Sequence, residues 1–113
     1  QTAKLLAEVM AWDDDQWQIA FQSQFGPEKW LEPYTDEVLE GLHHAGIEHP
    51  MIFSPGFVTD CLETLDELGN EGREQFAEGG GNPDHFRFIP CLNMNPAWIE
   101  AMEQLICDHS THL

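Results

Sequence analysis

The chain has 113 residues, 42% of them hydrophobic, which suffices for one compact domain with a core and is too little for two. Its 21 acidic and 4 basic residues give a formal net charge of −17, which excludes nucleic acid as a partner because phosphates need Lys and Arg. The same charge argues against binding to an anionic membrane surface. Peripheral membrane association is retained only as an alternative.

The strong acidity has two explanations. Acidic residues keep a surface solvated, as in a salt-adapted organism, or some of them handle cations. Lysine is scarce along the whole chain, with only Lys4 and Lys29 present. Because the scarcity is not confined to one segment, we favour solvation for most of the charge.

The cysteines and the apolar runs bear on location. Cys61, Cys91 and Cys107 form no Cys-x-x-Cys pair, and three thiols cannot all pair with one another. A disulfide scaffold or zinc knuckle is therefore not expected, and a reducing cytosol fits best. No apolar run approaches membrane-spanning length and no signal peptide is recognised, so the predicted location is cytoplasmic.

The first third of the chain predicts a helix, a strand and a long loop. Apolar residues at helical spacing predict a helix over residues 2–11. "WQIAFQS", residues 17–23, is rich in strand formers and contains no charge, which predicts a buried strand. "QFGPEKWLEPY", residues 24–34, carries a glycine and two prolines that break regular structure. It is longer than a plain strand-to-helix link, as functional loops often are.

The middle of the chain predicts a helix, a strand and a second helix. Thr35 is the expected N-cap of the first helix, and Gly46 is its expected end. "PMIFS", residues 50–54, predicts the second strand. "SPGFVTDCLETLDEL", residues 54–68, opens on a Pro-Gly turn, after which a helix is predicted to about residue 78.

The end of the chain predicts a third strand and a last helix. "FRFIPCL", residues 86–92, is the strand, and Asn95 caps a helix with Pro96 at its first position. Helices that alternate strictly with short buried strands predict an α/β fold, a doubly wound parallel sheet flanked by helices. With about three strands, and a helix before the first of them, residues 1–113 are interpreted as the partial C-terminal portion of such a domain.

The helix predicted after the Pro-Gly turn has two unlike faces. Five residues form an apolar face that we expect to be core, namely Val58, Cys61, Leu62, Leu65 and Leu68. The opposite face begins with Asp60, Glu63 and Glu67, which fall within about 60° on an α-helical wheel. Two explanations fit these acids: a solvated face, or a cation site at the edge where parallel sheets bind ligands.

Four stretches, taken together, resemble a known family. "FQSQFGPEKWLEPYTDEVLEGL", "SPGFVTDCLETLDEL", "EGREQF" and "FRFIPCLN" are similar, in order and spacing, to the C-terminal half of ferrochelatase. The resemblance spans residues 17–93 and continues more weakly outside them. It is far more specific than any single motif.

The resemblance implies an activity for the whole protein, the insertion of ferrous iron, its substrate, into protoporphyrin IX to form haem. It also implies two similar doubly wound domains with the porphyrin cleft between them. This chain would supply about the last third, and the family's strand with a His-Gly pair followed closely by Pro would lie upstream of Gln1. The isolated chain is therefore expected to be inactive.

Two alternatives to this enzyme stay open. One is a chelatase-like module that binds porphyrin or metal without turnover. The other is a chelatase for a different tetrapyrrole, with cobalt or nickel as the metal. One residue also departs from the family pattern, since Gln24 stands where the family usually has a basic residue. Gln24 carries no positive charge with which to pair a porphyrin propionate.

The resemblance assigns roles to the acids. Glu63 is the candidate catalytic acid and metal ligand facing the porphyrin centre, and Glu67, one turn on, is a second candidate metal ligand. Ferrous iron accepts carboxylate ligands, and two pyrrole protons must also leave. From spacing alone, Asp60 and Glu63 also match a capping box, in which Asp60 only caps the helix; otherwise Asp60 belongs to the acidic path. Three further acids are expected to be plain surface, namely Glu71, Glu74 and Glu78.

Aromatic residues are the candidates for porphyrin binding. Trp30 and Phe57 lie in loops at the predicted carboxyl edge of the strands, where open sheets bind ligands. Trp30 alternatively pins its loop onto the domain. Some members of the family carry an iron–sulfur cluster on C-terminal cysteines, but Cys107 stands alone near the end, so we expect no cluster.

Overall fold

The computed structural model describes residues 1–110, so the last three residues of the domain predicted over 1–113 lie outside the described part. Within it there are four α-helices: α1 (Thr2–Met10), α2 (Thr35–Leu42), α3 (Gly72–Glu78) and α4 (Pro96–Ser110). A π-helix (Glu63–Glu71) runs directly into α3. A short 3₁₀ turn (Pro83–His85) follows α3. No helix of residues 1–110 is long and apolar enough to cross a membrane.

Two short parallel strands form the sheet, β1 (Met51–Ile52) and β2 (Arg87–Phe88). The Arg87 N–H donates to the Pro50 carbonyl at 3.0 Å, and the Ile89 N–H donates to the Ile52 carbonyl at 2.9 Å. Parallel strands separated by a helical connection confirm the α/β class. Both predicted strands, 50–54 and 86–92, therefore exist, but each is only two residues long and lies in the first half of the predicted range.

The first predicted strand, residues 17–23, is wrong. Within the described residues it makes a single bridge, in which Phe21 pairs with Tyr34 rather than with β1 or β2. The Phe21 N–H donates to the Pro33 carbonyl, and the Phe21 carbonyl accepts from the Thr35 N–H, both at 2.9 Å. A strand needs a neighbouring ladder for its backbone groups, and this segment has only one such partner residue. The sheet thus has two strands instead of about three.

The ends of the helices follow local chemistry, with one exception. Asn95 Oδ1 accepts from the Ala97 N–H at 3.0 Å, which confirms the predicted cap of α4. Gly46 has φ +84°, as expected where a chain leaves a helix, although regular α2 ends earlier, at Leu42. Thr35 is not the N-cap: it is the first helical residue, and Tyr34 precedes it. The Phe21–Tyr34 bridge holds Tyr34 in extended backbone directly before the helix, with the Thr35 N–H bonded to the Phe21 carbonyl, which fits this one-residue difference.

The core lies between α2, α3 and the start of β2. Phe76 and Phe86 are fully buried, Leu39 is 4% exposed, and Leu42, Ile52 and Phe88 pack against them. The Phe76 and Phe86 rings are 6.2 Å apart between centroids, within the range in which aromatic pairs attract each other. The π-helix is held in place by this core because it runs directly into α3, which contributes Phe76 to the core.

The expected apolar face of this helix is wrong in most of its members. Leu68 is 3% exposed and Cys61 is half-buried. Val58, Leu62 and Leu65 are 41%, 72% and 54% exposed, respectively. The buried positions recur every four residues instead, namely Thr64, Leu68, Gly72 and Phe76. An α-helix has 3.6 residues per turn, whereas the i→i+5 bonds of a π-helix widen the turn, so the buried stripe follows a longer spacing.

The acidity is hardly compensated by ion pairs. Among residues 1–110 the salt bridge found is Lys29–Glu32, at 3.6 Å and with both side chains largely exposed. We therefore expect the melting temperature to rise between low and molar potassium chloride, because salt screens the repulsion between like charges. The screening length is about 8 Å at physiological ionic strength and becomes shorter at higher ionic strength. A melting temperature that stays flat or falls over that range would contradict solvation as the main reason for the charge.

Candidate functional site

A cavity of about 210 Å³ lies between the loop that follows Phe21, the first turn of α2 and the π-helix. Polar and aromatic side chains line it, among them Gln22, Ser23, Trp30, Tyr34, Glu67 and Glu71. Ligand pockets for drug-sized molecules are about 300–1,000 Å³. This cavity alone therefore suits a small polar ligand or cation rather than a whole macrocycle.

Trp30 is half-buried at this cavity. Its indole Nε1–H donates to the Gln22 carbonyl at 3.0 Å. That bond ties residues 24–34 to the segment before them, which is what the loop-pinning explanation predicts. The ring also lines the cavity, so the same anchoring presents an aromatic surface beside Glu67.

Glu67 lies on the π-helix, half-buried, and faces the same cavity. Its Oε2 accepts from Gln22 Nε2 at 3.4 Å and from the Ser23 hydroxyl. A carboxylate is well suited to both donors because it is an acceptor only. Trp30 and Glu67, separately named from the sequence, are thus joined through Gln22.

Glu63 is the first residue of the π-helix and is half-buried. Its backbone carbonyl accepts from Gln22 Nε2 at 3.2 Å. A hydrogen bond with the Cys61 side chain, and a smaller contribution from its own backbone N–H, lower the pKa of the Glu63 carboxyl. Glu63 is therefore ionised at neutral pH. Its side chain is not part of the cavity lining that contains Glu67.

Asp60 precedes the π-helix and does not share its acidic face. Its Oδ1 accepts from the Thr64 hydroxyl at 2.9 Å and from the Cys91 N–H at 3.3 Å, and its Oδ2 accepts from Asn93 Nδ2 at 2.8 Å. The Asp60 N–H donates back to Asn93 Oδ1 at 2.9 Å. Asp60 thus ties the start of the helix to the loop after β2.

This arrangement corrects both expectations for Asp60. A capping box needs a side-chain bond to the helix start, but the π-helix has its N-cap at Leu62 and no side-chain cap bond. The predicted wheel placed Asp60, Glu63 and Glu67 on one face, but it assumed α-helical spacing from residue 60 onward. Because the π-helix begins only at Glu63, the wheel does not apply to Asp60.

The Asp60 network predicts acid sensitivity. The Asn93 amide, followed by smaller contributions from Cys91 and Thr64, lowers the pKa of Asp60 to about 2 from its ordinary value of 3.8. Because the folded-state pKa is depressed, the network's contribution is fully present above the unfolded value and is lost as the pH falls through that window. Asp60→Asn is expected to lower the melting temperature at pH 7 more than at pH 2. Equal losses at both pH values would contradict a charge-dependent role.

Phe57 is not brought to the cavity. It lies in the turn after β1, where its N–H donates to the Ser54 carbonyl at 3.1 Å, and it is 38% exposed. Trp30 and Phe57 therefore do not line one pocket within residues 1–110. Phe57 remains available on the surface, and its role in porphyrin binding stays a prediction.

No ready-made metal centre is found in the described part of the chain. Among residues 1–110, no three His, Cys, Asp or Glu side chains are close enough together to hold a metal ion. The cysteines differ in exposure: Cys61 is half-buried, Cys91 buried and Cys107 exposed. Burial, followed by contact with Asp60, raises the pKa of the Cys91 thiol, which therefore stays protonated at neutral pH.

Three residues at the cavity were missed from the sequence. Gln22 and Ser23 were expected only as the end of a strand, and Glu71 was expected to be plain surface. Gln22 and Ser23 contact Glu67, and Glu71 lines the same cavity although it is exposed. Glu63, Glu67 and Glu71 follow one another at four-residue intervals. On a π-helix this spacing places them near one face, so the spacing was the signal that could have identified Glu71.

Comparison with known proteins gives a consistent match. A family model described as Ferrochelatase matches residues 1–110. The ferrochelatase of Marinobacter nauticus is 48% identical over 109 residues, which are 96% of this chain and 29% of the relative. The ferrochelatase of Brucella anthropi is 47% identical over 106 residues, which are 94% of this chain and 30% of the relative.

A third relative, the ferrochelatase of Neisseria meningitidis serogroup C, is 49% identical over 104 residues, which are 92% of this chain and 30% of the relative. No solved structure matches this chain. The chain thus spans about 30% of the length of these relatives. Since the family model covers residues 1–110, nearly the whole chain, the chain belongs to the ferrochelatase family.

Proposed function

We propose that this chain is the C-terminal part of a ferrochelatase that inserts ferrous iron into protoporphyrin IX and so forms haem. The observation that carries the proposal is the family match over residues 1–110. The relatives named ferrochelatase, at 47–49% identity, support it. In the whole protein, β1 and β2 would belong to a larger doubly wound sheet.

In this proposal the carboxylates handle the metal and the protons. Ferrous iron must arrive stripped of most of its water, and carboxylate oxygens replace that water. Glu67 faces the cavity and Glu63 begins the same π-helix four residues earlier. Glu63 would act at the porphyrin centre, and Glu67 would hold the cation on its way there.

The aromatic residues would form part of the porphyrin wall. Trp30 is held in place by its bond to the Gln22 carbonyl, so its ring presents a fixed surface. Phe57 is 38% exposed and would be covered by the macrocycle or by the rest of the protein. A cytoplasmic location and the lack of an iron–sulfur cluster also belong to this proposal.

The test compares the whole protein with residues 1–113 alone. With mesoporphyrin and Zn²⁺ or Fe²⁺, we expect turnover by the whole protein and only background from the isolated chain. The reason is that residues 1–110 bring no three metal-binding side chains together and contain a cavity of only about 210 Å³ at the site. Turnover by the isolated chain would contradict this expectation.

The same assay separates the alternatives. A whole protein that binds porphyrin but never metallates it would support a module without turnover. A clear preference for Co²⁺ or Ni²⁺ over Fe²⁺ would support a chelatase for another tetrapyrrole. Either result would overturn the proposed function.

A further inference from the structure

Two neighbouring residues converge on one oxygen of Glu67. Gln22 Nε2 lies 3.4 Å from Glu67 Oε2, and the Ser23 hydroxyl donates to the same oxygen. Gln22 Nε2 also lies 3.4 Å from Ser23 Oγ, so the two donors are in contact with each other. They come from a segment more than forty residues away in the chain, and local helix geometry therefore does not explain their meeting with Glu67.

Ser23 adopts a backbone conformation that its residue type seldom takes. Its φ is +58°, in the left-handed region that favours glycine. Such strain persists where the surrounding structure over-determines it, and it clusters at functional sites. Here the strained residue is the one whose hydroxyl reaches Glu67.

The other oxygen of Glu67 is left for a ligand. In the described part of the chain, the hydrogen bonds to the Glu67 carboxylate all end on Oε2. Glu67 lines the cavity, and because Oε2 already accepts two hydrogen bonds, Oε1 is the oxygen that we expect to bind a cation there. Two donors on one oxygen restrict rotation of the carboxylate, which lowers the entropy lost when a cation binds.

Gln22 makes two further contacts that fix this arrangement. Its side-chain Nε2 also donates to the Glu63 backbone carbonyl at 3.2 Å. Its own backbone carbonyl accepts from the Trp30 indole N–H at 3.0 Å. A single residue therefore links the start of the π-helix, the aromatic wall and the Glu67 carboxylate. It is held from three sides and is well placed to hold Glu67 in turn.

We propose that Gln22 and Ser23 are positioning residues that orient the Glu67 carboxylate so that its Oε1 receives the divalent cation. This inference rests on the proposed function, since it assigns Glu67 to the metal path of that reaction. Neither residue touches the reacting atoms. Both act through Glu67.

The experiment uses the whole protein and varies Fe²⁺ at saturating porphyrin. Ser23→Ala, and separately Gln22→Met, are expected to raise the KM for Fe²⁺ about tenfold, because each removes a hydrogen bond to a charged group. The kcat and the KM for porphyrin should stay within about twofold. Ser110→Ala, which removes a hydroxyl far along α4, is the matched control and should leave all three constants unchanged.

A double-mutant cycle then tests whether Ser23 acts through Glu67. If it does, Ser23→Ala adds no further loss in a Glu67→Gln background, because the acceptor it serves is already changed. Additive losses, or an unchanged KM for Fe²⁺ in both single variants, would overturn the positioning role. Melting temperatures of the variants separate this effect from a loss of folding.

A second measurement keeps the inference independent of turnover. Zn²⁺ alone is titrated calorimetrically into the porphyrin-free whole protein, and Ser23→Ala is expected to weaken binding about tenfold. If the protein proves inactive in metal insertion yet shows this weakening, the proposed function fails and the positioning role stands. Zn²⁺ binding that is equal in the parent and in Ser23→Ala overturns the positioning role, whatever the turnover.

Discussion

Glu63→Gln in the whole protein is expected to reduce metal insertion by roughly a hundredfold or more, the scale on which a positioned acid or base contributes to catalysis. The amide keeps the shape of the side chain but removes its charge. It can neither neutralise Fe²⁺ nor accept a pyrrole proton. Of the single substitutions at the proposed site, this one removes the group that the proposal places at the porphyrin centre.

The electrostatics of Glu63 refine this expectation. Hydrogen bonds from the Cys61 side chain and its own N–H lower the pKa of Glu63, so the carboxylate is charged at neutral pH and is a weak base. In the porphyrin-free chain it is thus better suited to attracting a cation than to holding a proton. We therefore expect the loss in Glu63→Gln to appear with both Fe²⁺ and Zn²⁺.

Steady-state insertion of Zn²⁺ and Fe²⁺ into mesoporphyrin measures the effect. Glu78→Gln is the matched control, because Glu78 is an exposed acid at the end of α3 and loses the same charge. It should remain within about twofold of the parent. A Glu63→Gln protein that folds and turns over at a near-normal rate would reduce Glu63 to a structural residue at the start of the π-helix.

Gly79→Ala is expected to destabilise the fold by about 3 kcal/mol, the upper part of the range for overpacking. A Cβ at Gly79 would lie 2.9 Å from the Glu40 Cα and closer still to the Glu40 carbonyl. Those atoms are backbone of α2, so a rotamer change cannot relieve the overlap. The contact between α2 and the end of α3 would have to open, and it borders the core of Leu39 and Phe76.

Thermal unfolding followed by circular dichroism measures this loss, and a fall of roughly 10 °C or more is expected for a domain of this size. Gly41→Ala is the control, since a Cβ there meets nothing within 4 Å and Gly41 lies inside α2. It should be neutral or stabilising by up to about 1 kcal/mol, because alanine favours helix. A Gly79→Ala protein that melts with the parent would show that α2 and α3 are packed more loosely than the structure has them.

Local signals in the sequence were sufficient for several features. Asn95 followed by Pro96 predicted the start of α4, and the short apolar runs predicted β1 and β2 and their place in an α/β fold. These features depend on residues within a few positions of one another, where propensity and capping dominate. The family, too, was evident from the order and spacing of short motifs.

The remaining features depend on contacts between distant parts of the chain. Asp60 meets Asn93 and Glu67 meets Ser23, pairs separated by 33 and 44 residues, and no local pattern announces either. The π-helix has no sequence signature. The assumption of α-helical spacing therefore predicted the wrong core face and wrongly placed Asp60 on one face with Glu63 and Glu67. The predicted strand at 17–23 had strand-forming residues but no sheet neighbour within the described residues.

The sequence by itself thus determined the family and the helical and strand segments with strong local signals, and it named Asp60, Glu63 and Glu67 as candidate acids. Only the tertiary structure decided which of them share a site: Glu67 joins Trp30 at the cavity, Asp60 turns to the loop after β2, and Phe57 stays apart. The physical reason is that residue type sets what a side chain can bind, whereas packing and backbone hydrogen bonds set where it points. In this chain the helix that begins at Glu63 has π-helical rather than the predicted α-helical spacing, and this spacing sets which of its side chains face the core and the cavity.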